Sequence, residues 1–327
     1  MVTPRIRYTR REFNRSLAAL PASLLLPKID STYQGVRLGT ISYSFRNMPY
    51  IVAKNLYDYV LDDCRTAGVG FVELMCNHVE PVTEFTAQSI ANGSPNNGIR
   101  RGAYPRTPEG TKARDDLRQW RLKTPMSYFT NIRKKFEDAG VSIYAYTVPG
   151  IGGDDFTSDE IDRMFDQARA LGATTISGST TLSAAQRLVP FVEKRQFPVA
   201  FHNHADLVDP NQFCTPESMR KAIAMSKYFR INLDIGHYVQ ANLDPLPLIE
   251  EIHDRITHLH VADGRRNNQP EVPFGTGDTP LKQVMALLKT KRYPIVAIVE
   301  LEYAVPPGST APAEVKKCLD YLRQALA

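Results

Sequence analysis

From residue 36 to the C-terminus the chain alternates short apolar runs with longer amphipathic ones. The short runs span 36–42, 69–75, 141–147, 174–177, 198–202, 231–233, 256–260 and 295–299, are rich in β-branched or aromatic residues, and mostly follow Gly, Pro or a charged turn. Runs apolar on both faces are what parallel strands covered on both sides require. The segments between them, 50–66, 127–139, 158–171, 182–195, 216–228, 244–253, 280–289 and 312–326, read as helices. Segment 127–139 places Phe129, Ile132 and Phe136 on one stripe, and segment 158–171 opens on a Ser or Thr cap followed by acids. Several have Pro at or near the first helical position. Eight strand–helix units in about 290 residues is the arithmetic of a single (β/α)8 barrel. An open doubly wound sheet usually carries a Gly-rich phosphate turn after its first strand, and Gly39-Thr40-Ile41-Ser42 is not one. The stretch 77–119, rich in Gly, Pro, Asn and Arg, is irregular. In a barrel it would be a long loop on the catalytic face or an insertion without a role.

The 327 residues carry a formal charge of +5, which raises the question of an anionic partner. All of it sits in the first 28 residues, where Arg5, Arg7, Arg10, Arg11, Arg15 and Lys28 face Glu12 alone. The remainder is neutral and offers no basic stripe, so nucleic acid is not an expected partner. The same segment places Arg10-Arg11 before Phe13 and then an apolar run over 16–27. A basic region followed by a short apolar one resembles a twin-arginine (Tat) signal peptide, which exports folded proteins. Residues 1–28 are therefore expected to be an export segment and 29–327 the barrel, with a periplasmic or exported location. The competing reading is an amphipathic helix or a disordered arm. The run is too short for a comfortable membrane span, although an uncleaved anchor stays open. Cys64, Cys76, Cys214 and Cys318 form no C-x-x-C pair and read as buried free thiols.

Six of the seven histidines lie at or near the carboxyl end of a predicted strand, His253 being the exception. In a barrel that end is the active-site face. Strand five ends His202-Asn203-His204, strand six Leu233-Asp234-Ile235-Gly236-His237, strand seven His258-Leu259-His260-Val261-Ala262-Asp263, strand eight Val299-Glu300-Leu301-Glu302, and strand two contains Glu73. Imidazoles and carboxylates together suit a divalent ion such as Mn²⁺, Zn²⁺, Co²⁺ or Fe²⁺. Asp234 could instead cap the turn after it, and His260 could be a core histidine. Glu300 and Glu302 share a face, and Glu300 lies deeper. Glu73, His78, His237 and Asp263 belong in or behind the site, His258 reads as structural, and Trp120 either stacks on a sugar or packs.

The Leu-Asp-Ile-Gly-His stretch, His260-Val261-Ala262-Asp263 and Val299-Glu300 resemble the xylose-isomerase-like TIM-barrel superfamily, the sugar (phosphate) isomerases and epimerases with their inosose dehydratase and apurinic endonuclease relatives. The resemblance runs from about residue 36 to the C-terminus and implies one divalent metal held by Asp234, His260 and Glu300. The family usually supplies a fourth ligand as Glu on strand five. Here His202 stands in its place, with His204 as competitor, so no strand-five carboxylate is available as base. Candidate catalytic groups are Glu73, His204, His237 and Glu302. Such a site polarises a sugar carbonyl and stabilises an enediolate, which leads to isomerisation, epimerisation or elimination. Export and a neutral body point to an isomerase or epimerase of an unphosphorylated sugar or keto-sugar, with Mn²⁺, Zn²⁺ or Co²⁺ as cofactor. The alternative is a 3-keto-glycoside lyase or hydratase using the same chemistry. A nuclease would need more ligands on strands two and three and a basic groove, and a ligand set this complete argues against a dead sugar-binding module. Barrels of this kind are often homo-oligomers, and that is the expectation here.

Overall fold

Parallel strands cannot be joined by hairpins, so each apolar run needs a crossover before the next can pair with it. The computed structural model describes residues 28–91 and 107–327. In it the apolar runs become β1 (Val36–Ile41), β2 (Phe71–Met75), β3 (Ser142–Thr147), β4 (Thr175–Ser179), β5 (Val199–His202), β6 (Phe229–Asp234), β7 (Ile256–Val261) and β8 (Val296–Val299). Each pairs in parallel with the next, and β8 pairs back onto β1, so the sheet is a closed barrel. The outer helices are α1 (Leu56–Ala67), α2 (Met126–Asp138), α3 (Ser158–Ala170), α4 (Leu182–Arg195), α5 (Pro216–Met225), α6 (Pro245–Ile252), α7 (Leu281–Lys291) and α8 (Ala311–Leu326). The chain is a single-domain (β/α)8 TIM barrel.

Local chemistry explains the helix starts. Thr157, Thr181, Thr215 and Thr310 each accept a backbone N–H from the first turn of the helix that follows, and Thr157 forms a reciprocal capping box with Glu160. The stripe Phe129, Ile132 and Phe136 of α2, and Ile161, Met164, Phe165 and Ala168 of α3, are buried against the sheet. Inside the barrel Ile41, Val296 and Ile298 pack with Tyr144 into an apolar floor. All four cysteines are buried and unpaired.

The structure departs from the expected organisation in three places. Helix α1 begins at Leu56, later than the apolar spacing from residue 50 implies. The stretch expected to be irregular, 77–119, overlaps helices Cys76–Val79, Glu84–Ala91 and Pro108–Lys123. The last has a clear start, with Thr107 accepting from Gly110 and Pro108 in the first turn, but its charged composition carries no apolar stripe for a periodicity search to find. Finally, Thr32–Tyr33 adds antiparallel to β1, and Asp263–Arg265 pairs with Gln269–Val272 in a hairpin after β7. The proposed export segment falls on residues 1–27, outside the described residues, apart from Lys28. Among the described residues no helix is long and apolar enough to cross a membrane.

Helix Pro108–Lys123 is tied to the barrel by charge. Arg121 donates to Glu80 at 2.7 Å and to Glu160 at 3.4 Å, and Arg118 donates to Glu160 at 2.8 Å. Burial alone would raise the Glu160 carboxyl, but the Thr157 backbone N–H, Arg118 and Arg121 outweigh it and hold Glu160 below the ordinary 4.5. Arg121→Met strands the buried Glu80 carboxylate and leaves Glu160 with Arg118 as its one arginine, and should cost about 3–5 kcal/mol in chemical denaturation. Because the Glu160 carboxyl is depressed, its contribution stands above about pH 4.5 and is lost as pH falls through the lower folded value. The acid limb of the stability profile should therefore flatten in the variant.

Candidate metal centre

Consecutive strands of the closed sheet each deliver one side chain to the centre of the carboxyl-end mouth. Register sets their level: His202 lies beside Asn232, Asp234 beside His260, and His260 beside Ile298, two residues before Glu300. His202, Asp234, His260 and Glu300 are all buried, and one ligating atom from each lies within 4.8 Å of the others. Nδ1 of His202, Oδ2 of Asp234, Nδ1 of His260 and Oε2 of Glu300 are buried without a hydrogen-bond partner. Nδ1 of His260 and Oε2 of Glu300 are 2.6 Å apart but not aligned for a hydrogen bond. Buried polar atoms are rarely left unsatisfied, and here each of the four residues leaves one. Two nitrogens and two carboxylate oxygens aimed at one point fit a divalent ion of the Mn²⁺, Zn²⁺ or Co²⁺ type. Crowding of carboxylates tells the same story: burial, with Glu302 and Asp234 nearby, pushes Glu300 up to about 7 against the pull of His260.

Behind these four lies a supporting layer. Asn203 accepts the Asp234 N–H at 2.8 Å and donates to the Asp234 carbonyl at 3.0 Å, fixing that residue from both sides. Oδ1 of Asp234 accepts the N–H of His237 at 2.7 Å, capping helix Ile235–Gln240, while Oδ2 is left for the mouth. The cap and ligand readings of Asp234 are thus compatible. Gly236 is required here because a Cβ would stand 2.9 Å from the Cβ of Ala262 on the neighbouring strand end. Nε2 of His260 is 2.6 Å from Oε2 of Glu73, whose other oxygen accepts from Thr147 at 2.6 Å. His258 lies one layer down, its Nε2 3.1 Å from the same Glu73 oxygen.

These contacts revise the role expected of Glu73. It is wholly buried, and although burial would raise its carboxyl, His260 and His258 hold it well below the usual range. Both oxygens are engaged beneath His260, a geometry that orients the imidazole rather than reaching a substrate carbon. His204, His237 and Glu302 remain at the rim: the His204 and His237 rings are 5.0 Å apart, and Nε2 of His237 is 3.7 Å from Oε2 of Glu302. Burial would lower His237, but Asp234, Glu302 and Gln240 raise it.

Sequence reasoning missed Glu271. It stands on the hairpin strand Gln269–Val272, within 4.8 Å of Asp234 and His237, with a buried unpartnered oxygen, and burial beside Glu302 and Asp234 raises it well above the usual range. Nothing periodic marks it, because the hairpin is an addition to the barrel. Asp263, grouped with the site by its position, is turned to structural use: it accepts N–H bonds from Gly275, Thr276, Gly277 and Thr279. His78 bonds Ser42, and burial pushes it down to about 3. Trp120 packs edge-on against Tyr128 and Phe129. The cavity above the cluster encloses about 260 Å³, with Ile41, Tyr43, Tyr50, Met75 and Phe156 on its apolar wall.

Residues 109–325 match the family model described as a xylose isomerase-like TIM barrel. None of the curated proteins is a sequence match. Among solved structures the chain is similar to an L-ribulose 3-epimerase (13% identity, TM-score 0.60, covering 89% of this chain and 94% of the other). It is also similar to the IolI protein with a bound zinc atom (13%, 0.57, 89% and 98%). A third is the probable 3-DHS dehydratase AsbF of Bacillus anthracis (13%, 0.57, 88% and 98%). At these identities the likeness is one of fold.

The clamp on Asp234 makes a specific demand. Asn203→Ala should weaken divalent-metal binding about 10–100-fold with the fold intact, measured by calorimetric titration of the metal-free chain and circular dichroism.

Proposed function

We propose that this chain, which belongs to the xylose isomerase-like TIM barrel family, is a divalent-metal-dependent isomerase or epimerase of an unphosphorylated sugar or keto-sugar, working through an enediolate. The observation that carries the reading is the set of four buried ligating atoms on His202, Asp234, His260 and Glu300, converging within 4.8 Å with no aligned hydrogen bond among them, with the His237–Glu302 pair at the same mouth. A divalent ion bound there supplies Lewis-acid polarisation of a carbonyl and its neighbouring hydroxyl. Glu73 holds His260 in orientation, and Asn203 does the same for Asp234. Glu302, His237 and His204 are the groups placed to take a proton from one carbon and return it to another. Tyr43, Tyr50 and Phe156 wall the cavity beside these groups.

The arginines lining the cavity support an unphosphorylated substrate. Arg121 is committed to Glu80 and Glu160, and Arg46 to the carbonyls of Leu301 and Glu302. A phosphate would need such N–H groups free, and the Arg121 charge is already met by two carboxylates. The arginine pair in the first 28 residues supports export to the periplasm, where free sugars and glycosides are the substrates met. The aromatic wall favours a second reading, a 3-keto-glycoside lyase or hydratase, because it offers an aglycone a place to lie beside the polar cluster.

Elemental analysis of the purified chain should find about one equivalent of divalent metal, lost in Asp234→Ala and His260→Ala. Incubation with candidate sugars and keto-glycosides in D₂O should place deuterium on an α carbon with the skeleton intact. Glu302→Gln should slow that exchange by about 10²–10⁴-fold. Release of an aglycone instead would select the lyase reading, and a metal-free native protein would overturn both.

A further inference from the structure

We infer that Gln240 is a positioning residue that fixes the tautomer of His237, so that this imidazole takes up and releases its exchanging proton at Nε2 only. The inference rests on the reading of His237 and Glu302 as the proton-moving pair, and hydrogen-bond logic alone leads to it. Gln240 is buried at the end of helix Ile235–Gln240, where two groups face its amide: the main-chain carbonyl of Gln269 at 3.0 Å and Nδ1 of His237 at 2.6 Å. A carbonyl oxygen can only accept, so the amide NH₂ must point to Gln269. Oε1 is therefore the atom that meets His237, and it too can only accept. Nδ1 must then carry a hydrogen in every protonation state of the ring. The neutral ring has its lone pair on Nε2, the nitrogen 3.7 Å from Oε2 of Glu302.

Which ring nitrogen is protonated is set by the bond the other one makes, and this bond belongs to neither the metal cluster nor the substrate. The arrangement is anchored at both ends. The His237 N–H is held by Asp234, and the Gln240 carbonyl accepts from Asn268, which pins the short helix to the hairpin carrying Gln269 and Glu271. The hairpin therefore has a purpose at the site beyond supplying Glu271: its backbone carbonyl dictates the side-chain orientation of Gln240. Without Gln240 the ring is free to carry its single proton on Nε2, which leaves no base facing Glu302.

The test uses the full chain with ¹⁵N-labelled histidine, metal-free and zinc-loaded, and long-range ¹H–¹⁵N correlation, which separates protonated from bare ring nitrogens. His237→Asn identifies the signal. The parent's neutral ring should show Nδ1–H and bare Nε2. Gln240→Leu should move the hydrogen to Nε2, and Gln240→Glu, which keeps an acceptor, should retain Nδ1–H. In the exchange assay Gln240→Leu should lower kcat roughly 10-fold or more with KM nearly unchanged, and Gln240→Glu should restore most of it. An Nε2–H ring in the parent, or a ring unmoved by Gln240→Leu, overturns the inference, and the parent spectrum decides alone if the leucine variant does not fold. The expected tautomer in a chain that exchanges no sugar proton upholds the role of Gln240 and sinks the functional reading instead.

Discussion

β1 hydrogen-bonds to β8 on one side and to β2 on the other, and that closure decides which side chains meet. In an open sheet His202, Asp234, His260 and Glu300 would lie in a row along one edge, with Glu73 far from all of them. Closure bends the row into a ring and brings Glu73, on β2, under His260, on β7, at 2.6 Å. Register finishes the work, because a slip of one residue on a barrel strand would turn its polar side chain from the lumen into the helix layer.

The ring concentrates negative charge where water is scarce. Glu73 is compensated by His258 and His260, but Glu300 and Glu271 are pushed upward by burial and by one another's neighbours. The four converging atoms, none with an aligned hydrogen bond, are the ones the proposed cation would satisfy. Everything beneath serves orientation: Thr147 holds Glu73, Glu73 holds His260, and Asn203 holds Asp234. His204, His237 and Glu302 stay at the rim, where the proposed reaction would need its proton carriers.

Legibility in the sequence followed periodicity. The strands were readable because each is apolar on both faces, and the ligand candidates because they stand at strand ends in motifs of fixed spacing. Helix Pro108–Lys123 was hidden by its charge, although Thr107-Pro108 marks its start. Gln240 and Glu271 were hidden for another reason: one is three residues past His237 on a six-residue helix, the other on a hairpin outside the barrel repeat. The histidine-to-glutamine spacing of three is a helical neighbour relation, and could have drawn attention to Gln240.

The order of apolar runs, their Thr and Pro punctuation and the placing of His and acidic residues at their ends determined by themselves that this chain closes into a (β/α)8 barrel with a polar mouth. Those are local signals, repeated along the chain and independent of what lies opposite. Division of labour among the polar groups was decided only in three dimensions. Glu73 and Glu302 are both carboxylates near strand ends, yet one is sealed beneath an imidazole and the other stands at the rim. Asp234 ends β6 and Asp263 follows the end of the neighbouring β7, yet one faces the cluster and the other holds a loop. What separates them is which partners the closed barrel brings within hydrogen-bond reach, and no spacing along the chain encodes that.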